Sequence, residues 1–195
     1  MSLMSALENI HQKGQFGDYK GKSEKNLIKI SEIKNLIIAQ IVQYKNSNVL
    51  CEEIKIDDLK LSSKVLSVVS NENTRILWNG PRNWLVITTQ NKVFSEIDKK
   101  FEEGDFAVTD ISHSKSIIEI EGDNAKEVLK KGCPFNFNEL NKNNCLNSTF
   151  NGMSIVVDMI NDNPDTFRIF ALRSFGESIY HSITDSSLEF GYIGK

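Results

Sequence analysis

Residues 110–113 bring a carboxylate, a hydroxyl and an imidazole within four positions, in the side chains of Asp110, Ser112 and His113. These are the three groups of a hydrolytic triad, but a triad is assembled by the fold from separate positions, and no nucleophile-elbow signature surrounds this serine. Short polar side chains between two strands also satisfy the backbone groups of a turn without any catalytic role. We therefore predict that this segment holds a strand-to-strand turn through local hydrogen bonds.

The cysteines and histidines show no spacing that is typical of a metal site. The sequence has no C-x-x-C, H-x-H or H-E-x-x-H motif, whereas a metal needs ligands that converge. Cys133, between Gly132 and Pro134 where a helix should end, is expected to be a small buried apolar group and not a reactive thiol. Three separated cysteines indicate free thiols. We therefore expect a reducing, cytoplasmic location and no metal bound by this chain.

The sequence also lacks phosphate-binding loops. Neither G-x-G-x-x-G nor G-x-x-x-x-G-K-[ST] occurs, which disfavours enzymes of dinucleotides and nucleoside triphosphates. With 23 Lys and Arg against 26 Asp and Glu, the net charge is -3, so no global field attracts nucleic acid or anionic lipid. The longest apolar stretch, residues 36–42, is too short to cross a bilayer, and no secretory pattern opens the chain. We expect neither nucleic acid nor a membrane as a partner.

The composition is that of a globular protein, with 39% hydrophobic and 25% charged residues in a chain of 195. Residues 1–25 contain few aliphatic side chains, so we predict a flexible or partner-ordered N-terminal arm, in which residues 1–3 are a cloning scar. We predict a first α+β lobe over residues 26–104 and a second over residues 105–195, packed as one compact unit.

The periodicity of apolar residues predicts several elements within these lobes. Apolar runs on both sides of residues 79–83 predict a hairpin, and a second hairpin is predicted around residues 161–165. Val93, Ile97 and Phe101 predict an amphipathic helix that ends at Gly104. Partial helical spacing predicts a further helix between residues 48 and 69. Other strands are predicted at 27–30, 35–44, 106–108, 116–120 and near the end of 135–151. A short helix is predicted after residues 122–123, and a final helix that carries Phe175, Ile179 and Ile183. Helices that follow antiparallel hairpins favour an α+β fold with antiparallel sheets and helices packed on one side.

Four blocks of the sequence resemble the gamma subunit family of heterotetrameric sarcosine oxidase, and they follow the order found in that family. The Gly-Cys-Pro and Arg-Ser-Phe blocks are more specific than any fold-level pattern. The blocks are Trp78-Asn79-Gly80-Pro81-Arg82-Asn83-Trp84-Leu85, Thr109-Asp110-Ile111-Ser112-His113-Ser114-Lys115, Lys130-Lys131-Gly132-Cys133-Pro134 and Leu172-Arg173-Ser174-Phe175-Gly176-Glu177. One mild departure is Ser114-Lys115, where Gly-Arg is commoner in the family.

This family is in turn similar to the glycine-cleavage T protein, a tetrahydrofolate-dependent aminomethyltransferase. The resemblance implies a folate-binding-type α+β fold of two ferredoxin-like lobes. It does not imply folate chemistry, because the position of the catalytic acid falls near Ile179, whose side chain cannot transfer a proton. Glu177 lies two residues away, and a shift of two residues in register would restore a carboxylate.

The resemblance implies a non-catalytic accessory subunit of a sarcosine oxidase that demethylates sarcosine to glycine. FAD, FMN, NAD and tetrahydrofolate are then expected in the partner alpha, beta and delta subunits, with no cofactor in this chain. The alternative is a freestanding folate-binding protein or an aminomethyltransferase-like one-carbon enzyme using Glu177 and Asp110. A third possibility is a subunit of a related enzyme that demethylates other methylated glycines. The candidate partner-docking or family-motif residues are Asp110, Ser112, His113, Cys133, Pro134, Arg173 and Phe175.

Overall fold

The computed structural model describes residues 5–195, and the expected cloning scar lies outside this part of the chain. The described residues form three α-helices and fourteen strands. The helices are α1 (Asn91–Lys100), α2 (Ala125–Gly132) and α3 (Gly176–Ser187). The strands are β1 (Gly14–Phe16), β2 (Ile28–Glu32), β3 (Ile37–Gln43), β4 (Lys55–Ile56), β5 (Leu59–Lys60), β6 (Val68–Ser70), β7 (Thr74–Gly80), β8 (Asn83–Thr88), β9 (Phe106–Asp110), β10 (Lys115–Glu121), β11 (Cys145–Phe150), β12 (Met153–Asp162), β13 (Asp165–Leu172) and β14 (Tyr192–Gly194).

The described chain divides into two compact units, each built on one large sheet. The seven-stranded unit contains residues 5–34, 114–142 and 146–195, and the five-stranded unit contains residues 35–113 and 143–145. The seven-stranded sheet has the strand order β1-β14-β2-β10-β13-β12-β11. β2 runs parallel to β14 and antiparallel to β10. The α+β class that the sequence predicts is therefore confirmed.

The core of the five-stranded unit lies between α1 and the sheet of order β6-β7-β8-β3-β9. Val93 and Ile97 of α1 join one buried cluster with Ala39 of β3 and with Trp84 and Val86 of β8. Trp84 and Val86 are two positions apart in β8, and Ala39 pairs directly with Val86, so the three side chains share one face of the sheet. The four-residue spacing that predicts α1 therefore gives the face on which the helix packs.

The segment between residues 48 and 69 is not the helix that the spacing predicts. It contains a short 3-10 turn at Cys51–Glu53, the ribbon of β4 and β5, and part of β6. Asp57 and Asp58 form the turn of the ribbon with φ of 51° and 64°, and Leu66 has a φ of 62°. A right-handed helix cannot pass through residues with positive φ, and aspartate adopts this conformation more readily than most residues.

Residues 5–25 do not form the separate flexible arm that their composition predicts. Leu7 is fully buried, and β1 pairs with β14 at the edge of the seven-stranded sheet. Tyr180 Oη lies 3.2 Å from His11 Nδ1 and accepts a hydrogen bond from Gln12 N at 3.2 Å. Pairing with a strand from the opposite end of the chain supplies contacts that no local composition reveals.

The boundaries of the two units also differ from the predicted division after residue 104. β2 belongs to the seven-stranded sheet because it pairs with β10 and β14, although it precedes the whole five-stranded unit in sequence. β9 pairs with β3 and belongs to the five-stranded sheet. Pairing between strands distant in sequence sets these boundaries, which a division into consecutive segments cannot reproduce.

Candidate functional site

The turn between β9 and β10 is held by the hydroxyl of Ser112. Ser112 Oγ donates to Asp110 Oδ1 at 2.5 Å, and Ser112 N donates to the same oxygen at 2.9 Å. The hydroxyl oxygen also accepts a hydrogen bond from the backbone N–H of Ile38 in β3, at 2.9 Å. These are the local hydrogen bonds that the sequence predicts, and they tie the turn to the neighbouring strand.

The electrostatics of this turn do not favour acid–base or nucleophilic catalysis. The two hydrogen bonds from Ser112 lower the pKa of Asp110, so the carboxylate stays ionised and is a weak base. The O–H of Ser112 already points to Asp110, and His113 makes no hydrogen bond to it within the described part of the chain. The turn borders an open cleft of about 480 Å³ together with Asn91 and Phe94 of α1.

Cys133 is buried at the end of α2 and lies against β11. Its thiol donates to Ser148 Oγ at 3.2 Å, and burial raises the pKa of the thiol. A protonated, buried thiol is a poor nucleophile. A Cβ on the preceding Gly132 would lie 2.9 Å from the ring of Phe150. Packing therefore accounts for Gly132 and Cys133, whereas Lys131 and Pro134 of this block are exposed.

The Leu172–Phe175 segment presents apolar side chains to solvent at the junction of β13 and α3. Leu172 is 43% exposed and Phe175 is 42% exposed. Arg173–Phe175 form a 3-10 turn between strand and helix, and Arg173 N donates to the carbonyl of Ser114 at 2.8 Å. The backbone of the segment is thus held by a hydrogen bond, while the side chains of Leu172 and Phe175 remain exposed to solvent.

Glu177 and Ile179 have opposite environments in α3. Ile179 is fully buried in the seven-stranded unit, which fits a core residue. Glu177 is exposed, and its carboxylate lies 3.8 Å from His181 Nε2, one turn along the helix. A carboxylate in contact with water lacks the buried, apolar surroundings in which catalytic acids are typically found.

The hairpin of β7 and β8 forms one wall of an open cleft in the five-stranded unit, which we call the hairpin cleft. Its volume is about 670 Å³. The hairpin contributes Trp78, Pro81, Arg82 and Trp84, which all belong to one sequence block. The opposite side carries apolar and acidic side chains. The remaining lining residues are Gln43, Val49, Leu50, Cys51, Glu52, Glu53, Ser63 and Val65.

Sequence reasoning missed the second side of this cleft. The predicted helix over residues 48–69 would bury Leu50 and Val65, whereas the structure leaves them 66% and 60% exposed. No sequence signal marks them, because an exposed apolar side chain in an irregular segment resembles a core residue of an amphipathic helix. Of the two tryptophans of the hairpin, Trp84 is buried and Trp78 is half-buried.

The candidate residues of the sequence fall in two separate groups. Asp110, Ser112 and His113 lie in the five-stranded unit, and the block residues from Cys133 to Phe175 lie in the seven-stranded unit. Within residues 5–195 no three His, Cys, Asp or Glu side chains are grouped to hold a metal ion. In the same range, no helix has the length and apolar character needed to cross a membrane.

The family model described as "Sarcosine oxidase, gamma subunit family" matches residues 55–189. The sarcosine oxidase subunit gamma of Corynebacterium sp. (strain U-96) is 25% identical over 120 residues, which cover 60% of this chain and 58% of that protein. The same subunit of Corynebacterium sp. (strain P-1) is 28% identical over 122 residues, covering 62% of this chain and 60% of that protein. The aligned part thus spans about three-fifths of these curated relatives.

Two solved structures share the fold at low sequence identity. A chain of the heterotetrameric sarcosine oxidase from Corynebacterium sp. U-96, in complex with pyrrole 2-carboxylate, has a TM-score of 0.83 at 18% identity, and the match covers 97% of both chains. The glycine cleavage system aminomethyltransferase T from Bartonella henselae has a TM-score of 0.61 at 13% identity, covering 82% of this chain and 46% of that chain. The folate-binding-type fold expected from the sequence is confirmed.

Proposed function

The chain belongs to the sarcosine oxidase gamma subunit family, and from this premise we propose that it is a non-catalytic accessory subunit of a heterotetrameric sarcosine oxidase. The family match over residues 55–189 carries the proposal. The proposed complex demethylates sarcosine to glycine and uses flavin and tetrahydrofolate. FAD, FMN, NAD and tetrahydrofolate are held by the other subunits, alpha, beta and delta, and this chain holds none of them.

The environments of the candidate acids support an accessory role. Asp110 is engaged by Ser112, and Glu177 is exposed on α3. Neither carboxylate lies in the buried, apolar surroundings that are typical of a catalytic general acid. Among residues 5–195, no contact of Asp110 or Glu177 favours the freestanding aminomethyltransferase-like alternative.

The Leu172–Phe175 segment supports docking onto a larger partner. Two neighbouring apolar side chains, each more than two-fifths exposed, lie on a backbone fixed by the Arg173–Ser114 hydrogen bond. Aromatic and arginine side chains dominate the binding energy of many interfaces. We therefore propose Arg173 and Phe175 as docking residues. Cys133 is buried and acts in packing.

Purification of the chain from its native organism through an affinity tag tests this function. The eluate should contain larger subunits, identified by mass spectrometry, together with a flavin absorbance spectrum and sarcosine-dependent oxygen uptake. The chain produced alone should show no flavin spectrum. A stoichiometric flavin spectrum from the chain alone would contradict the assignment of all cofactors to the partner subunits.

A further inference from the structure

The hairpin cleft gathers the most exposed large apolar side chains of the described residues. Seven such side chains are exposed in this part of the chain, and Val49, Leu50 and Val65 line this cleft. Leu50, at 66%, and Val65, at 60%, are the most exposed of the seven. Apolar side chains scattered singly over a surface need no explanation, but a group around one concavity marks a binding site.

The walls of the cleft are held in place by hydrogen bonds within the five-stranded unit. Trp84 Nε1 donates to the carbonyl of Ser62 at 2.8 Å, which fixes the indole at the hairpin. Arg82 Nη1 donates to the carbonyls of Tyr44 and Lys45 at 3.0 and 2.6 Å. The loop after β3 is thereby tied to the tip of the hairpin, so an occupant meets a preformed surface at a low cost in ordering.

Further polar groups of the cleft are also engaged within the chain. Gln43 Nε2 donates to the carbonyl of Val49 at 2.7 Å and to Ser47 Oγ at 3.2 Å. Small polar ligands are held by convergent polar groups that are free to bind them. The hairpin cleft offers few such groups and mainly apolar surface, which favours apolar side chains of a protein segment over a small polar molecule.

The charged residues that line the hairpin cleft indicate the charge of the protein segment that would bind there. Three charged residues line the cleft, Glu52, Glu53 and Arg82, and the Arg82 guanidinium binds two carbonyls. Glu52 and Glu53 are exposed, and their carboxylates have no hydrogen bond or ion pair with any residue from 5 to 195. The lining therefore carries two acidic groups against one basic group, and a cation beside them would be complementary.

From these observations, and resting on the proposed function, we infer that the hairpin cleft docks a segment of a partner subunit. That segment places an apolar side chain against Trp78, Leu50 and Val65. It also places a lysine or arginine beside Glu52 and Glu53. The hairpin cleft is formed by residues of the five-stranded unit, whereas the Leu172–Phe175 segment belongs to the seven-stranded unit.

Binding of the full-length chain to the purified assembly of the other oxidase subunits tests the inference. Leu50→Ser and Val65→Ser should each weaken binding about tenfold, as expected for apolar contacts near the centre of an interface. Leu188→Ser is the matched control, because Leu188 is 41% exposed and lies outside the cleft. Circular dichroism of each variant shows whether it is folded. Because two residues of the cleft are changed separately, weaker binding by both variants is not explained by a distortion at one position.

The acidic rim is tested by the double substitution Glu52→Gln and Glu53→Gln. This variant should bind more weakly at low salt and should lose much of the dependence of affinity on salt concentration. The double substitution Glu102→Gln and Glu103→Gln, at another exposed acidic pair, is the matched control and should bind like the wild type. A photo-crosslinking residue at position 65 should capture a peptide that contains lysine or arginine, derived from a larger subunit.

The outcomes separate this inference from the proposed function. If the wild-type chain binds and both apolar cleft variants bind with unchanged affinity, the cleft inference is overturned while the subunit assignment stands. Crosslinks only to a second copy of this chain would also overturn it. If the wild-type chain itself does not bind the other subunits, the proposed function fails and the cleft inference fails with it.

Discussion

The hydroxyl of Ser112 lies 2.5 Å from Asp110 Oδ1 and donates to it, so the two side chains form a closed local pair at the end of β9. The same hydroxyl accepts the N–H of Ile38, a buried residue of β3. A nucleophilic serine needs a base to take its proton and no competing structural task. The hydrogen bonds of Ser112 therefore hold the turn between β9 and β10 against β3.

Ser112→Ala should lower the free energy of unfolding by about 1 to 3 kcal/mol, because it leaves the Ile38 N–H without its acceptor. Urea unfolding followed by circular dichroism measures this loss. Ser178→Ala, at an exposed position of α3, is the control and should change stability little. Unchanged stability of Ser112→Ala, combined with an inactive assembled oxidase, would show that the turn has a role in chemistry.

The sequence predicts the elements that depend on local residue patterns. It does not predict the elements that form only because strands distant in sequence pair with each other. α1 follows from the spacing of Val93, Ile97 and Phe101, and the pairing of β7 with β8 follows from two apolar runs around a turn. The turn itself is shorter than predicted: Gly80 pairs with Asn83, and Arg82 has a φ of 58°. β1 and β14 have three residues each, and pairing between the two ends of the chain creates them.

Only part of the candidate site could be predicted, because only that part depends on local residue patterns. The Asp110–His113 turn is a local structure, so its residue types were sufficient to predict its hydrogen bonds. The hairpin cleft depends on the irregular path of residues 49–65 beside the hairpin, and positive φ at Asp57 and Asp58 sets that path. Four blocks of sequence sufficed for the family resemblance, which the match over residues 55–189 confirms.

Acid should remove a stabilising contribution of Asp57. Hydrogen bonds from Asn71 Nδ2, at 2.9 Å, and Thr74 Oγ1, at 2.7 Å, lower the pKa of this carboxyl. A lowered pKa in the folded state stabilises the protein above the unfolded pKa of about 3.9, and this contribution is lost as pH falls through the folded pKa. Asp57→Asn should thus be less stable than the wild type at pH 7, with a difference that shrinks below about pH 4.

Urea midpoints of wild type and Asp57→Asn across this pH range measure the effect. Asp58→Asn is the matched control, since Asp58 is the exposed neighbour in the same turn. A stability difference between wild type and Asp57→Asn that stays constant from pH 7 to pH 2.5 would rule out the ionised carboxylate as its source.

Phe175→Ser should weaken association with the other subunits about tenfold and leave the stability of the isolated chain nearly unchanged, because Phe175 is 42% exposed. Arg173→Ala should also weaken association, through the loss of a guanidinium from the same surface. Binding titrations with the purified partner subunits measure both effects, with Leu188→Ser as the control. Wild-type affinity in Phe175→Ser would exclude this segment from the interface.

The isolated chain should not transfer a one-carbon unit to tetrahydrofolate. Ile179 occupies the core at the expected acid position and Glu177 is solvent-exposed, so the factor of about 10² to 10⁴ that general acid–base catalysis supplies is missing. Glu177→Ala should leave the product at the background level of the uncatalysed mixture. Turnover by the wild-type chain that Glu177→Ala abolishes would instead support the aminomethyltransferase-like alternative.

Co-expression with the candidate alpha, beta and delta subunits, followed by size-exclusion chromatography, tests the accessory-subunit assignment most directly. We predict that the 22.1 kDa chain elutes with the three other subunits in a single peak, in equal amounts, and that this peak oxidises sarcosine. Elution of the wild-type chain at its own mass, apart from an assembled and active complex of the others, would contradict the assignment.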